Sequence, residues 1–328
     1  MLRTHRSEGA CNEPADPMET LQSQEIRDDF ARYLPLPARL EPHLRKALEK
    51  TLGNPGSLVR SQIVLQMAAA CGVPDLHARK LAIALEYFHT ASLLFDDLPC
   101  MDNAVERRGA PCVHVEYGES GAILTALAII NRAYALSWQA VAAAPPERQT
   151  EALAYIEQHL GVSGLLNGQS LDLHYSTLAH DLRTTEQIAV GKTISLIRLT
   201  VVLPALVGGA PPEELRLLDR IARYWGLSYQ IVDDLKDVLQ SAAETGKTAA
   251  RDSSLDRPNI ALAIGVTASI DRLERLVELG DRVLRRLQSR RPALSFLRRL
   301  RGSIQEEADR VTAGVRQTTL QTTLRGSA

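Results

Sequence analysis

The sequence predicts an all-α protein built as one large helical bundle. Three observations carry this. Apolar residues recur at helical rather than alternating spacing through most of the 328 residues. Aromatic residues make up only 4%, while Leu, Ala, Arg and Glu abound. No run reads as a strand, and no repeat marks a solenoid.

Residues 1 to 18 read as a disordered leader, residues 19–315 as the helical domain, and residues 316–328 as a flexible tail. Residues 20–52 form two helices broken at Leu34-Pro35-Leu36-Pro37. Gly53-Asn54-Pro55-Gly56-Ser57 is a turn, with Ser57 the expected N-cap of the next helix. After the Gly72-Val73-Pro74 break another helix runs over residues 75–98, and residues 99–117 form a loop. A long apolar helix is expected over 119–142, and after Pro145-Pro146 a second over 147–174. A third covers 184–208, with Lys192-Thr193 inside an apolar run, and Pro211-Pro212 opens a fourth that ends near 240. Residues 241–257 are a polar loop, and 258–315 are amphipathic covering helices.

A hydrophobic content of 45% supports a large core. The formal net charge of -1 argues against a nucleic-acid partner. Cys11, Cys71, Cys100 and Cys112 lack metal-ligand spacing and any secreted pattern, so a reducing, cytoplasmic setting is expected. No 18-residue run is uninterruptedly apolar, so no membrane span is indicated. The N-terminus shows no signal-peptide core.

The chemistry concentrates in two acidic clusters. His89 to Gly109, HTASLLFDDLPCMDNAVERRG, starts apolar, presents Asp96 and Asp97, meets Pro99, then places Asp102 before Arg107 and Arg108. An acidic run beside two arginines is usually a solvated face. Here it ends an apolar helix, and a second copy follows at Tyr229-Gln230-Ile231-Val232-Asp233-Asp234-Leu235-Lys236-Asp237. Such carboxylates suit Mg2+, which takes one or two protein carboxylates and completes its shell with water and phosphate. Arginine grips phosphate through a bidentate fork. Asp233 and Asp237 share a helix face, whereas Asp96 and Asp102 lie about 240° apart on an ideal helix. Pro99 is therefore expected to end the helix and let a widened turn swing Asp102 back. His89 lies on nearly the face of Asp96, and taken alone it fits a satisfied core histidine equally well.

Together these features resemble the trans-isoprenyl diphosphate synthases (polyprenyl synthetases), most closely the geranylgeranyl diphosphate synthases. The motifs DDxxxxD and RRG stand at Asp96–Asp102 and Arg107-Arg108-Gly109, and FQxxDDxxD at Tyr229–Asp237. GQxxD matches Gly168-Gln169 and Asp172, KT matches Lys192-Thr193, and the GKxxGKD segment matches Gly246-Lys247-Thr248 and Asp252. The resemblance implies the isoprenoid synthase type I fold with a deep central apolar cavity. It also implies Mg2+, up to three ions, held by Asp96, Asp102, Asp233, Asp97 and Asp237. Arg107, Lys192, Lys247 and Arg257 would bind the allylic diphosphate. Arg60, His89 and Arg108 would bind isopentenyl diphosphate, and Thr193 and Gln230 would stabilise an allylic cation. Small Ala91 and Ser92 would leave the channel floor open for a twenty-carbon product. A homodimer is implied as well.

One departure bears on function. The family's GGKxRP is Pro55-Gly56-Ser57-Leu58-Val59-Arg60-Ser61, with Ser57 where lysine is usual. A hydrogen bond to a charged group contributes about 1.5–3 kcal/mol, so the loss weakens isopentenyl diphosphate binding unless Arg45, Lys46 or Lys50 substitutes. A terpene cyclase or a prenyltransferase to another acceptor is the alternative, and a subunit of a hetero-oligomeric synthase the third.

Overall fold

The computed structural model describes the backbone of residues 17–245 and 257–325, with side chains for 23–239 and 257–314. Cys11, Lys247, Arg251 and Asp252, and most of the expected leader, lie outside the described residues. The described chain is almost entirely helical, as the sequence predicts, and divides into two compact units, residues 1–149 and 150–328. The boundary falls inside a single helix, Pro146–Leu160, which begins at the Pro145-Pro146 break.

The first unit contains α1 (Pro17–Arg32), α2 (Pro42–Gly53), α3 (Val59–Ala70), α4 (Asp75–Asp96) and α5 (Val113–Val141). Pro42 opens α2 at a position where its missing N–H costs nothing, and Glu41 caps the helix by accepting from the backbone of His43 and Leu44. Its core is the α4–α5 pair. On α5, Ala122, Ala126, Ile129, Ala133, Leu136 and Ala140 recur every three or four residues and are essentially inaccessible. The small residues among them let α4 approach closely. Arg79 joins α4 to α1 through Asp29 at 2.9 Å and Glu25 at 2.7 Å, and the hydroxyl of Tyr87 donates to the Phe30 carbonyl at 2.5 Å.

Ser57 does not cap α3. The cap residue is Leu58, held in the left-handed region at φ 54° with no side-chain cap. The expected loop after α4 contains a two-residue ladder, β1 (Glu106–Arg107) with β2 (Ala110–Pro111), too short to leave an alternating pattern. Gly118, at φ 72°, interrupts α5 just where the sequence places its start.

The second unit contains the rest of α6 (Pro146–Leu160), then α7 (Leu165–Leu173), α8 (Leu182–Ala189), a π turn (Val190–Ile194) and α9 (Ser195–Val207). It continues with α10 (Pro212–Thr245), α11 (Ile260–Ile264), α12 (Val266–Arg290) and α13 (Leu297–Arg325). One helix expected over 147–174 is therefore two, separated by the Gly161–Gly164 turn, where an added Cβ would meet the carbonyls of Glu157 and His159. Ile194, Leu227, Ile231, Leu235, Ile260, Leu273 and Ala308 form the core.

Two stretches, Val113–Val141 and Leu182–Val207, are long and apolar enough to cross a membrane; in the second, 67% of the most apolar window is buried inside the protein, as in a core helix.

His159, 5% exposed in this unit, has its pKa lowered to about 4 by burial and by Arg198, against which Asp219 acts weakly. A histidine that is harder to protonate folded than unfolded destabilises the fold as pH falls through the window between about 6.5 and 4. A loss of roughly 3 kcal/mol across that window is expected at about 1.4 kcal/mol per pKa unit. Denaturant midpoints measured from pH 7 to pH 4 check it, and His159→Gln should flatten the slope.

Candidate functional site

In the first unit α4 ends at Asp96, and the backbone turns back on itself through Pro99. The Asp102 N–H donates to the Asp96 carbonyl at 2.9 Å, and the Asn103 N–H to that of Leu98 at 3.0 Å. Asn103 accommodates the reversal at φ 50°. The widened turn expected from Pro99 is present, and it places Asp102 beside Asp96.

Asp97 is turned the other way. It is buried, and both its oxygens accept from Arg107, Nε at 2.7 and 2.8 Å and Nη2 at 2.5 Å. The β1–β2 ladder sets Arg107 in this position. Asp97 was expected on a metal and Arg107 on a diphosphate; here each is engaged with the other.

The same division of labour holds in the second unit. Asp233 and Asp237 stand on one face of α10, and Asp237 has its pKa raised by burial and by Asp233, with Arg257 opposing. Asp234 points inward. It is 3% exposed and accepts from the Ile260 N–H at 2.7 Å and from Gln230 Nε2 at 2.9 Å. Burial raises its carboxyl to about 7, with Asp233 and Asp237 adding to the effect and the two hydrogen bonds opposing it. Asn259, the N-cap of α11, donates to the Asp234 carbonyl at 3.1 Å. In each cluster one aspartate is spent on bracing the helix end.

Gln230 also accepts from Thr193 Oγ1 at 3.1 Å, linking the KT segment to α10. Lys192 Nζ reaches Asp172 at 2.5 Å. Both Lys192 and Thr193 lie in the π turn, whose extra residue breaks the face periodicity of the helix. Gly191 and Gly168 meet there backbone to backbone, and a Cβ on Gly191 would come within 2.7 Å of the Gly168 Cα.

Arg60, His89 and Arg108 come together in the first unit. His89 has its pKa lowered well below the usual histidine range by burial, then by Arg60, Arg108 and Arg107, so it is neutral. Arg60 Nε is buried with no hydrogen-bond partner among the described residues. Arg108 Nη1 donates to the Asn54 carbonyl at 3.0 Å, and its guanidinium lies where a side chain on Gly56 would be, with Nη2 2.6 Å from that Cβ position. Sequence reasoning missed Glu86. It is 2% exposed, accepts from the Ser61 N–H at 3.0 Å, and carries a pKa raised by burial against the pull of Arg60 and Arg108. A lone acid in the apolar run IALEYF was its signal.

Two of the three cations expected to replace the missing lysine are engaged elsewhere. Lys50 binds Glu116 at 2.6 Å and the Pro111 carbonyl at 2.7 Å, and Arg45 binds the Pro37 carbonyl and Glu49. Ala91 is fully buried on α4, and Ser92 Oγ donates to the His89 carbonyl at 2.9 Å.

A family model for the polyprenyl synthetases matches residues 41–282. The chain is 37% identical over 228 residues to a chloroplastic geranylgeranyl pyrophosphate synthase of Capsicum annuum, covering 69% of this chain and 62% of that protein. The crystal structure of a FPP/GFPP synthase from Zymomonas mobilis superposes with a TM-score of 0.71 at 26% identity, over 84% of this chain and 94% of that one. That of a Helicobacter pylori geranyltransferase complexed with magnesium and isoprenyl diphosphate does so with a TM-score of 0.69 at 23% identity, over 93% and 100%, and shows the likeness of fold. With both acidic motifs in place and the family model spanning most of the sequence, the chain belongs to the polyprenyl synthetase family.

Proposed function

We propose that this protein is a prenyltransferase that condenses an allylic diphosphate with isopentenyl diphosphate, with geranylgeranyl diphosphate as the product. The observation that carries the reading is the paired arrangement of each acidic cluster. One carboxylate is braced from within (Asp97 by Arg107, Asp234 by Ile260 and Gln230) and leaves the helix end fixed for the others. Asp96 and Asp102 in one unit, and Asp233 with Asp237 in the other, are the ligands offered to Mg2+. No group of three metal-binding side chains converges among the described residues. Mg2+ takes one or two protein carboxylates and fills its other positions with water and phosphate oxygens. Bound there, Mg2+ supplies Lewis-acid neutralisation of a diphosphate leaving group.

The chain's own residues would do the rest. Lys192, steadied by Asp172, and Arg107, steadied by Asp97, present cations to the allylic diphosphate, joined by Arg257 and by Lys247 outside the described residues. Thr193 and Gln230 share a hydrogen bond and offer oxygen lone pairs to a developing allylic cation. Arg60, with its unpartnered Nε, Arg108 and neutral His89 receive isopentenyl diphosphate. Neutral His89 adds no fourth charge to a cluster of arginines. Glu86, underneath, anchors the start of α3 and so sets Arg60.

The decisive experiment incubates purified protein and Mg2+ with farnesyl diphosphate, with and without isopentenyl diphosphate. A twenty-carbon diphosphate supports the reading. A hydrocarbon or alcohol formed without isopentenyl diphosphate would establish a second reading, a cyclase or a transferase to another acceptor. That reading rests on exposed Ser57 and on the engagement of Arg45 and Lys50 elsewhere. Inertness without another subunit would overturn both.

Ala91→Phe is expected to shift the product toward fifteen carbons. It should also cost roughly 1–3 kcal/mol of stability, because the position is already close-packed. Chromatography of dephosphorylated products checks it, and an unchanged profile removes Ala91 from the channel floor.

A homodimer is part of the same reading. The sequence shows no face reserved for a partner, but the structure exposes Leu124, Leu127, Tyr134 and Trp138 along one side of α5, Trp138 at 68%. Single exposed apolar residues need no explanation, whereas a row of four on one helix does. Light scattering should give twice the chain mass of 36.0 kDa, and Leu127→Glu with Trp138→Glu should give the monomer.

A further inference from the structure

Residues 282–301 contain eight arginines and no acidic residue. They cover the end of α12, the 3-10 turn Pro292–Phe296 and the start of α13, so the charge gathers where two helix ends meet. Four carboxylates from flanking positions answer part of it. Glu213 takes Arg286 at 2.5 Å and Arg290 at 2.9 Å, and Glu214 takes Arg291 at 2.7 Å. Glu278 takes Arg282, and Asp281 takes Arg301, both at 2.7 Å. Eight arginines against these four acids leave an excess of four positive charges. Arg285, Arg298 and Arg299 are exposed and pair with no carboxylate among the described residues; Arg298 Nε donates to the neutral Gln288 Oε1 at 2.9 Å.

The placement also runs against local electrostatics. Arg298 and Arg299 occupy the first turn of α13, at the positive end of its peptide dipoles, where acidic residues are favoured and none is present. A charge run on a helix is ordinarily a solvated face balanced by neighbours four residues away. Five of these arginines are balanced, Arg282 by Glu278 four residues away, but Arg285, Arg298 and Arg299 are not, and the last two stand where their own helix disfavours a cation, which leaves them open to a counter-charge from outside the chain.

We infer that this corner docks on an anionic lipid surface. Exposed Pro292 and Ala293 form a small uncharged tip between the arginines, suited to lie among headgroups. Basic side chains close to an anionic leaflet each add to binding, and the effect decays within a Debye length. Exposed aromatic platforms, which single-stranded nucleic acids stack upon, are not part of the corner. The inference goes beyond the proposed prenyl transfer and stands without it. If that reading holds, a product with a long apolar tail is released beside a phase that accepts it.

The test is co-sedimentation of the full chain with vesicles of phosphatidylcholine alone and with about 30% phosphatidylglycerol, at low salt and at about 0.5 M NaCl. At least tenfold more protein should pellet with the anionic vesicles, and the excess should vanish at high salt. The triple variant Arg285→Gln, Arg298→Gln, Arg299→Gln should lose most of the excess. Its Tm should be equal or slightly higher, since it breaks no ion pair and relieves the start of α13, and its turnover on soluble substrates should be unchanged. Equal binding to neutral vesicles, no binding at low salt, or full binding by a folded triple variant would each overturn the inference. A duplex DNA competitor that displaces the vesicles at equal charge concentration would instead assign the corner to nucleic acid, against the proposal.

Discussion

Asp96→Ala and Asp233→Ala should each lower turnover by at least about a thousandfold, since a single transition-state donor in a water-poor site is worth about 10²–10³ and each aspartate would hold an ion that neutralises several oxygens. Thermal stability should fall less than in the variants of their neighbours. Asp96 closes α4 through its backbone carbonyl, which alanine keeps, and Asp233 is not among the residues that fix α11. Their neighbours should behave in the opposite way. Asp234→Ala leaves the Ile260 N–H without its acceptor and unties Gln230, at a cost of roughly 1–3 kcal/mol for a buried unsatisfied donor. Asp97→Ala strands a half-buried Arg107 in the same manner. Turnover and Tm measured on all four variants separate the two roles. A stable, fully active Asp233→Ala would remove the metal assignment, and an Asp234→Ala of unchanged Tm would remove the brace.

Gly191→Ala should cost about a hundredfold in turnover, the penalty expected when reacting groups are displaced by about 1 Å. The added methyl meets the Gly168 backbone at 2.7 Å, so the π turn and α7 must move apart. Lys192 then leaves Asp172, and Thr193 leaves Gln230. Gly168→Ala should do the same from the other side, because its Cβ would strike the backbone of Gly191 and Lys192. Gly302→Ala is the control. Among the described residues nothing lies within 4 Å of that position in α13, and alanine there should stabilise by about 0.5–1 kcal/mol. Activity as low as wild type divided by two, or no change in Lys192-dependent substrate KM, would show that the glycine contact does not position the lysine.

The helix content and most breaks were legible because Pro and Gly mark them plainly, as at Pro35, Pro74, Pro146 and Pro212. The reversal that returns Asp102 to Asp96 followed from Pro99 and the six-residue spacing. Other features left no usable trace. A two-residue ladder is shorter than any periodicity, so β1–β2 passed as loop, and with it the reason Arg107 faces Asp97. The π turn reads as uninterrupted helix, since a single Gly191 between Val190 and Ile194 is tolerated inside a helical pattern. Which aspartate of each pair turns inward depends on partners far along the chain, Arg107 for Asp97 and Ile260 for Asp234. The row on α5 was hidden because exposed and buried apolar residues share one helix and look alike in sequence. Arg45 and Lys50 look available by proximity, but the fold engages them with Pro37, Glu116 and Pro111.

The π turn has one more implication. A wide turn takes up one surplus residue and so offsets the helix face after it from the face before it, and Ile188 and Leu199 on its two sides are both buried. The surplus is discharged sideways, as a local blister carrying Lys192 and Thr193. The bulge is matched by its neighbour, since Gly191 within it lies against the backbone of Gly168 where neither position has room for a side chain.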